Sequence, residues 1–534
     1  MIRAGGANET ATSATRYRAR GNLAVRVAII DLFDDTPLQG WGARLNGRYF
    51  RKQFMAIMPQ AIAVWCRSLG HEVHYATYYG QQDPLSLIPE DIDVLIVGSF
   101  TQCSALAYAL GVIFRRRGVL TVIGGPHARS FPTDCLRFFD IVVKDCDKAL
   151  IADILKQRFD PPVVVSSGRP ATDLPSVEER MPEISKASFH NGRPLITSMV
   201  PILASSGCPY SCNFCVDWNT PYTAFPRERI EADLKYLARH FPRVLVGYHD
   251  PNFAVRFDKM MDLIDGLPAG PRNPYAMESS LSILKPERLA RLEQTHCVYV
   301  APGIESWIDY SNKAAVSARR GREKLNSVIA HIRLLSRYVP GVQVNFMFGG
   351  ESDKGDEPVK LTKEFIEQLP EVWPAVNIPT PFGGTPLYDQ LYREGRILSA
   401  LPFAFYYTPN LAITLKNYDP RTFYAHMIDM YETLTSRAML LKRVSAKTHP
   451  IIRFIHGLRT WGKRSELAEF RRIYTLLKEN RELLAFHEGR SKTLPEFYHR
   501  RFEERLGRYA EVLPPEARRP VLEPPAAVSL MAAE

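Results

Sequence analysis

Residues 194–215 read PLITSMVPILASSGCPYSCNFC, an apolar stretch that ends in Cys208, Cys212 and Cys215 at CxxxCxxC spacing. The apolar part reads as a strand, and the thiols follow it directly. Soft thiolates select iron–sulfur clusters or zinc. Structural zinc closes a tetrahedron of four protein ligands, and here only three are local. His190 or His249 could supply a fourth, but neither has zinc-finger spacing. Three thiolates on a cubane leave one iron open to a substrate or cofactor, which suits catalysis; electron carriers use four cysteines. From spacing alone a cluster ranks first, zinc second and an incidental grouping last.

Downstream of the thiols, RVLVGYHD (243–250), PYAMESSL (274–281), CVYVAPGIES (297–306), VQVNFMFGGE (342–351) and PAVNIPTPFGGTP (374–386) read as successive strands. Helical stretches such as ERIEADLKYLARHF (228–241) and REKLNSVIAHIRLLSRY (322–338) separate them. A βα repeat of about six strands predicts a complete or partial βα barrel over 195–419, with chemistry at the strand C-termini.

Upstream, RVAIIDLF (26–33), HEVHYATYY (71–79), DVLIVGSF (93–100), VLTVIGG (119–125) and DIVV (140–143) alternate with helical stretches. That pattern predicts an α/β domain over 25–165 with a doubly wound parallel sheet. Ligands bind such sheets at the carboxyl ends of strands, where Ser99, Thr101, Gly124 and Gly125 fall. Residues 1–24 read as a flexible leader and 166–194 as a proline-containing linker. A helical C-terminal region is expected over 420–512, and a disordered Pro-rich tail over 513–534.

The 534 residues carry a net charge of +11, with 46% hydrophobic and 23% charged residues. This is ordinary globular composition spread over two or three domains. No nucleic-acid motif accompanies the charge, so a basic surface with pockets for anionic cofactors is favoured over nucleic-acid binding. HGLRTWGKR (456–464) mixes Arg, Lys and Trp as anion-binding surfaces do, although solvated helix faces explain it as well. No apolar run of about 18 residues predicts a spanning helix. The N-terminus lacks the apolar core of a secretory signal, and the expectation is a cytoplasmic protein. Of eight cysteines, five (Cys66, Cys103, Cys135, Cys146 and Cys297) are scattered. Cys66 and Cys135 read as core, and Cys103 as core or close to a cofactor loop.

The cysteine run resembles the signature of the radical S-adenosylmethionine (SAM) superfamily, CxxxCxΦC, with Phe214 at the aromatic position. The resemblance implies a [4Fe-4S] cluster on Cys208, Cys212 and Cys215 whose open iron binds SAM. It further implies reductive cleavage to a 5′-deoxyadenosyl radical, with Phe214 along the adenine. GYHDPNF (247–253) resembles the family's second-strand segment with His249 in place of one acid, which implies a cofactor role for Asp250. GIES (303–306) resembles the segment whose glutamate reaches SAM, here Glu305. FGGE (348–351) and TPFGGTPLYDQLYREGRI (380–397) resemble late-strand glycine turns. Glu278 also ends a strand and is a candidate to point inward.

The N-terminal domain resembles the cobalamin (B12)-binding domain of one large subgroup. The matching residues are Ser99-Phe100-Thr101 and, about 25 residues on, Gly124-Gly125-Pro126-His127. The loop Asp31-Leu32-Phe33-Asp34-Asp35 has no DxHxxG, so the cobalt-ligating histidine is missing. KDCDKA (144–149) replaces a Gly-Glu-Gly-Glu segment. The insert WGARLNGRYFRKQF (41–54) could cover the corrin or only a surface, and Tyr406 and Tyr407 could line the substrate space.

The expected activity is cobalamin-dependent methyl transfer to an unactivated carbon or a phosphinate phosphorus of a biosynthetic intermediate. Flavodoxin or ferredoxin is the expected electron donor. The alternatives are radical cyclisation, rearrangement or oxidation without methyl transfer, and more remotely a non-catalytic zinc- or cluster-bearing binding protein.

Overall fold

The computed structural model describes residues 24–36, 56–168, 172–196, 198–267, 272–308 and 320–525. The leader up to residue 23, the whole of the 41–54 insert and residues 526–534 lie outside the described residues. The chain forms two units. The first comprises residues up to Pro175, Glu179–Arg193 and Phe502–Glu523; the second comprises Ser176–Glu178, Pro194–Arg501 and the C-terminal residues from Pro524.

In the first unit, strands β1 (Arg26–Leu32), β2 (Glu72–Tyr78), β3 (Val94–Ser99), β4 (Leu120–Gly124), β5 (Ile141–Val143) and β6 (Val163–Val165) form one sheet in the order β2-β1-β3-β4-β5-β6. Every pairing is parallel. The strands are near-continuous β-branched runs because both faces are covered, as parallel sheets require. Their order reverses between β1 and β3, which opens a crevice at their carboxyl ends. Asp31, Phe33, Ser99 and Phe100 surround it.

Asp31 is 2% exposed, and burial pushes its carboxyl up to about 8. Its one described acceptor contact is a long 3.4 Å bond from the Ala56 N–H. Because folding raises this pKa, the folded chain holds the proton more tightly than the unfolded chain. The stability it contributes is complete below about pH 4 and is lost as pH rises through about 8. Asp31→Asn should therefore flatten the fall in stability between those limits. At pH 8.5 we expect the variant to be the more stable by roughly 1–3 kcal/mol, read from urea midpoints at pH 6 and 8.5.

Two stretches differ from the expectations. The 166–194 segment, read as a linker, contains a helix, Val177–Ser188, with Pro182 inside it. Arg180 of that helix donates to Gln60 at 2.8 Å and to the Pro175 carbonyl. Part of the 513–534 segment, read as disordered, is laid on the first unit. Arg137 donates to the carbonyls of Glu516, Ala517 and Arg519, and Asp134 accepts from the Val521 N–H at 2.8 Å. Just upstream, Arg505 pairs with Asp35 at 2.5 Å, and Tyr509 is buried with its hydroxyl on Asp83. Proline-rich composition removes periodicity, but partners more than 370 residues away supply the order.

In the second unit, six parallel strands follow the chain: β7 (Met199–Ile202), β8 (Leu245–Tyr248), β9 (Tyr275–Met277), β10 (Cys297–Val300), β12 (Gly341–Met347) and β13 (Trp373–Asn377). Between β10 and β12 in sequence, a short strand, β11 (Gly303–Glu305), pairs parallel with the C-terminal half of β12. Pro302 separates β10 from β11, and its carbonyl accepts from the Asn345 N–H at 3.0 Å. On β12 and β13, Gln343 pairs with Trp373, Asn345 with Ala375 and Met347 with Asn377. The alternate residues Val342, Val344 and Phe346 are buried.

The helical region contains Pro420–Thr435, Arg437–Val444, Pro450–Glu479 and Arg481–His487. Ser436 and Asn480 are breaks between successive helices: each caps the next helix by accepting from a backbone N–H at 3.0 Å. The 30-residue helix lies against the N-terminal end of the strands. Thr448, just before it, donates to the Pro340 carbonyl at 2.7 Å, and Arg459 donates to Tyr299 Oη at 2.7 Å and to Gln343 Oε1 at 3.2 Å.

Candidate active site

The three thiols sit on the loop that leaves β7. Ser205–Ser206 pairs antiparallel with Thr223–Ala224, so residues 207–222 form a closed loop. Its neck is Gly207, at φ +70°, where an added Cβ would stand 2.3 Å from the Pro221 carbonyl oxygen and 2.5 Å from that of Thr220. Within the loop the Cys208 N–H donates to Thr220 O at 3.2 Å, and the Cys215 N–H to Cys212 O at 3.0 Å. The far side is fixed to the turn after β13. The Leu387 N–H donates to Asn213 O at 2.9 Å, and Trp218 Nε1 to Gly384 O at 2.8 Å. The glycine turn of the 380–397 segment thus anchors this loop.

Cys208 and Cys212 are buried, while Cys215 is half-buried, as is Phe214 between the last two thiols. Among the described residues, no group of three or more His, Cys, Asp or Glu closes around one metal ion. A cubane spaces its cysteine ligands more widely than a single ion does, because each thiolate binds a different iron. Three thiols on one braced loop fit that group, and His190 belongs to the first unit. The His249 side chain is exposed, and its N–H pairs with the Ile202 carbonyl at 2.9 Å.

The scattered cysteines are of another kind. Burial pushes the thiols of Cys66, Cys146 and Cys297 up to about 12, and Cys135 well above its ordinary value. Burial favours the neutral thiol at each of them, and none shares a loop with another cysteine.

Asp250 follows β8 and is 2% exposed. One carboxylate oxygen accepts from the Ala204 N–H at 3.0 Å and the other from the Ser205 hydroxyl at 2.5 Å. Burial raises its pKa to about 6, against the lowering effect of those bonds. Asp250 therefore braces the base of the cysteine loop through backbone and hydroxyl. Asn252 accepts from the Ser280 N–H at 3.0 Å, Ser280 and Ser282 hydroxyls meet at 2.8 Å, and Tyr210 within the loop bonds Ser282. The ends of β8 and β9 are in this way tied to the loop. The sequence pattern missed this relay, because serines at strand ends look like ordinary turn residues. Asp250→Asn should keep the fold and lower iron retention about 10–100-fold, as loss of an outer-shell partner does. Iron titration against a chelator measures it.

Glu305 ends β11 with φ +65°. A non-glycine residue there costs of order 1 kcal/mol or more. Its carboxylate folds back over Gly303, with Oε1 2.2 Å from where a Cβ on that glycine would stand. The neighbouring Ser306 donates to Asp353 at 2.9 Å, and Lys324 donates to the Ser306 carbonyl at 2.5 Å. Asp353 in turn accepts from the N–H groups of Gly349 and Gly350. The FGGE turn and the GIES strand are thus one braced structure, and Glu351 is held by Arg396 at 2.9 Å. Glu278 is exposed, while its backbone carbonyl accepts from Phe253 N–H at 2.8 Å.

In the first unit, Ser99 and Thr101 are buried and Gly124 ends β4. Gly125 has φ +93°, and a Cβ there would meet the Ser99 carbonyl at 2.9 Å. Phe33, in the place where a histidine ligand would be sought, stacks on Tyr79 at 5.4 Å between ring centroids and lies 5.5 Å from Phe100. An aromatic floor beside a small-residue cradle fits a large flat macrocycle without a protein ligand. His127 is buried, with Nε2 2.6 Å from Tyr108 Oη, which donates to Asp134 at 2.6 Å. That histidine is part of the core.

Residues 202–366 match the model of the radical SAM superfamily. The chain is 26% identical over 380 residues to a bacteriochlorophyllide d C-8(2)-methyltransferase of Chlorobaculum tepidum, covering 66% of this chain and 80% of that protein. It is 29% identical over 204 residues to a hopanoid C-2 methylase of Rhodopseudomonas palustris, covering 36% and 38%. The fold is like that of the radical SAM methyltransferase TsrM of Kitasatospora setae, solved with cobalamin and a [4Fe-4S] cluster. The TM-score is 0.54 at 12% identity, over 84% of this chain and all of that one. It is also like the cobalamin-dependent radical enzyme OxsB, at TM-score 0.55 and 12% identity over 92% and 80%. Residues 202–366 thus form a radical SAM domain, in a chain whose fold is like that of cobalamin-dependent radical SAM enzymes.

Proposed function

We propose that the protein is a cobalamin-dependent radical SAM methyltransferase acting on an unactivated carbon of a small biosynthetic intermediate. The observation that carries this reading is the braced loop bearing Cys208, Cys212 and Cys215, in a chain whose curated relatives are carbon methyltransferases. When bound, the two metal cofactors supply the electron that cleaves SAM and the methyl group to be transferred; the protein supplies position and shelter. Cys208, Cys212 and Cys215 would hold three irons of the [4Fe-4S] cluster and leave the fourth to SAM. Phe214 would lie along the adenine, and Glu305 would reach SAM from β11. Asp250 would act through the loop it braces. In the first unit, Ser99, Thr101, Gly124 and Gly125 would line the passage for the cobalamin tail, with Phe33 as part of the aromatic surface next to it. A flavodoxin or ferredoxin would deliver the electron.

The test is anaerobic reconstitution with iron, sulfide and hydroxocobalamin, followed by assay with methyl-deuterated SAM. One cobalt per chain and a deuterated methyl in the product are expected, with both 5′-deoxyadenosine and S-adenosylhomocysteine released. Deoxyadenosine without S-adenosylhomocysteine, or no bound cobalt, would replace this reading with methyl-free radical chemistry.

A further inference from the structure

Residues 437–464 carry eight Lys and Arg and no Asp or Glu. They span the helix Arg437–Val444 and the first half of Pro450–Glu479. Among the described residues, ten large apolar side chains are exposed, and six of them belong to this stretch: Leu441, Val444, Ile451, Phe454, Leu458 and Trp461. Scattered single exposures would need no explanation; this concentration does.

The spacing makes it a surface. Ile451, Phe454, Leu458 and Trp461 recur at intervals of three and four, which places them on one face of the helix. Phe454 is 64% and Trp461 68% exposed. Leu441 and Val444 share a face of the preceding helix, and a Cβ on Gly457 would lie 3.3 Å from Val444 Cγ1. The absent side chain at Gly457 lets the two helices approach, so the two apolar faces are continuous. The opposite face of the long helix is committed to the barrel through His456, Arg459 and Thr460, the last accepting from Arg443 at 2.6 Å.

Lys463, at the end of the stretch, pairs with Glu466, but four other charges around this surface have no described counter-charge. Arg437, Lys442 and Lys447 are exposed and Arg453 is half-buried, and no described carboxylate pairs with any of the four. An apolar stripe with Trp, Phe and Leu, set among unpaired cations, has the composition of a helix lying in the interface of an anionic bilayer. A basic, acid-free margin favours anionic lipid headgroups over a second copy of this chain, whose matching surface would be equally positive. No helix among the described residues is long and apolar enough to cross a membrane, so association would be at the surface.

We propose that the face formed by Leu441, Val444, Ile451, Phe454, Leu458 and Trp461, with Arg437, Lys442, Lys447 and Arg453 around it, docks the enzyme on an anionic membrane surface. The experiment is flotation of the full-length protein with vesicles of phosphatidylcholine alone or mixed with phosphatidylglycerol, at low and high salt. The wild type should float with the anionic vesicles at least tenfold more than with the neutral ones, and salt should weaken this. The doubly substituted Phe454→Ser, Trp461→Ser protein should lose binding to both vesicle types. Lys442→Glu with Lys447→Glu should lose the anionic preference alone. All four positions are exposed, and unchanged circular dichroism establishes that the variants are folded. Absence of wild-type flotation, or equal flotation by the Phe454/Trp461 variant, overturns the proposal. So does self-association in sedimentation velocity that this variant abolishes, since the face would then be a protein interface.

Discussion

Replacing any one of Cys208, Cys212 or Cys215 by alanine is expected to reduce SAM cleavage to background. Each thiolate would bind a separate iron, so losing one uncovers a second iron and leaves the cubane on two protein ligands. Two cysteines on a partly exposed loop do not hold such a cluster against chelation or oxygen. The reconstituted variants should show well under the four irons per chain of a complete cluster, weak absorbance in the iron–sulfur charge-transfer region and no 5′-deoxyadenosine. Cys66→Ala is the control. That thiol is buried in the first unit and pushed up to about 12. Removing it should cost about 1–2 kcal/mol of stability through lost packing and leave iron content unchanged. If the Cys212 variant kept a full cluster, or the Cys66 variant lost one, the assignment of ligands would be wrong.

The contrast between those cysteines is legible in the sequence alone, because three thiols within eight residues are a local pattern. The strands are legible for the same reason: RVAIIDLF and DVLIVGSF are apolar, β-branched runs bounded by polar turns, and they form β1 and β3. What stays hidden is held by partners distant in sequence. Asp250 looks like a cofactor contact on a motif, and only the fold shows both its oxygens on Ala204 and Ser205, 46 and 45 residues away. The order of Leu513–Glu523 rests on Thr133, Asp134 and Arg137, which no local window contains. HGLRTWGKR has two opposite faces, one on the barrel and one exposed, and composition averages them into a basic segment.

Gly207→Ala is expected to have the second-largest effect, and it separates the loop's shape from its ligands. The substitution adds one methyl group and removes no thiol, charge or hydrogen-bonding group. Its cost has two parts. At φ +70° an L-residue with a Cβ is disfavoured by about 1–2 kcal/mol. The new Cβ would also stand within 2.5 Å of two carbonyl oxygens, those of Thr220 and Pro221, and both belong to backbone that cannot rotate aside. Relief requires the loop's return arm to move out, and that arm carries the Thr220 carbonyl on which the Cys208 N–H rests. The total is about 2–4 kcal/mol, concentrated at the neck of the cluster loop. Thermal unfolding of the metal-free protein should drop by about 3–6 °C. After reconstitution, iron content should fall below that of Asp250→Asn, because that variant weakens one brace whereas this one opens the hairpin both braces serve. Serine at position 207 should behave like alanine. If Gly207→Ala instead reconstituted to the wild-type iron content, the closed geometry of residues 207–222 would not be what holds the three thiols in place.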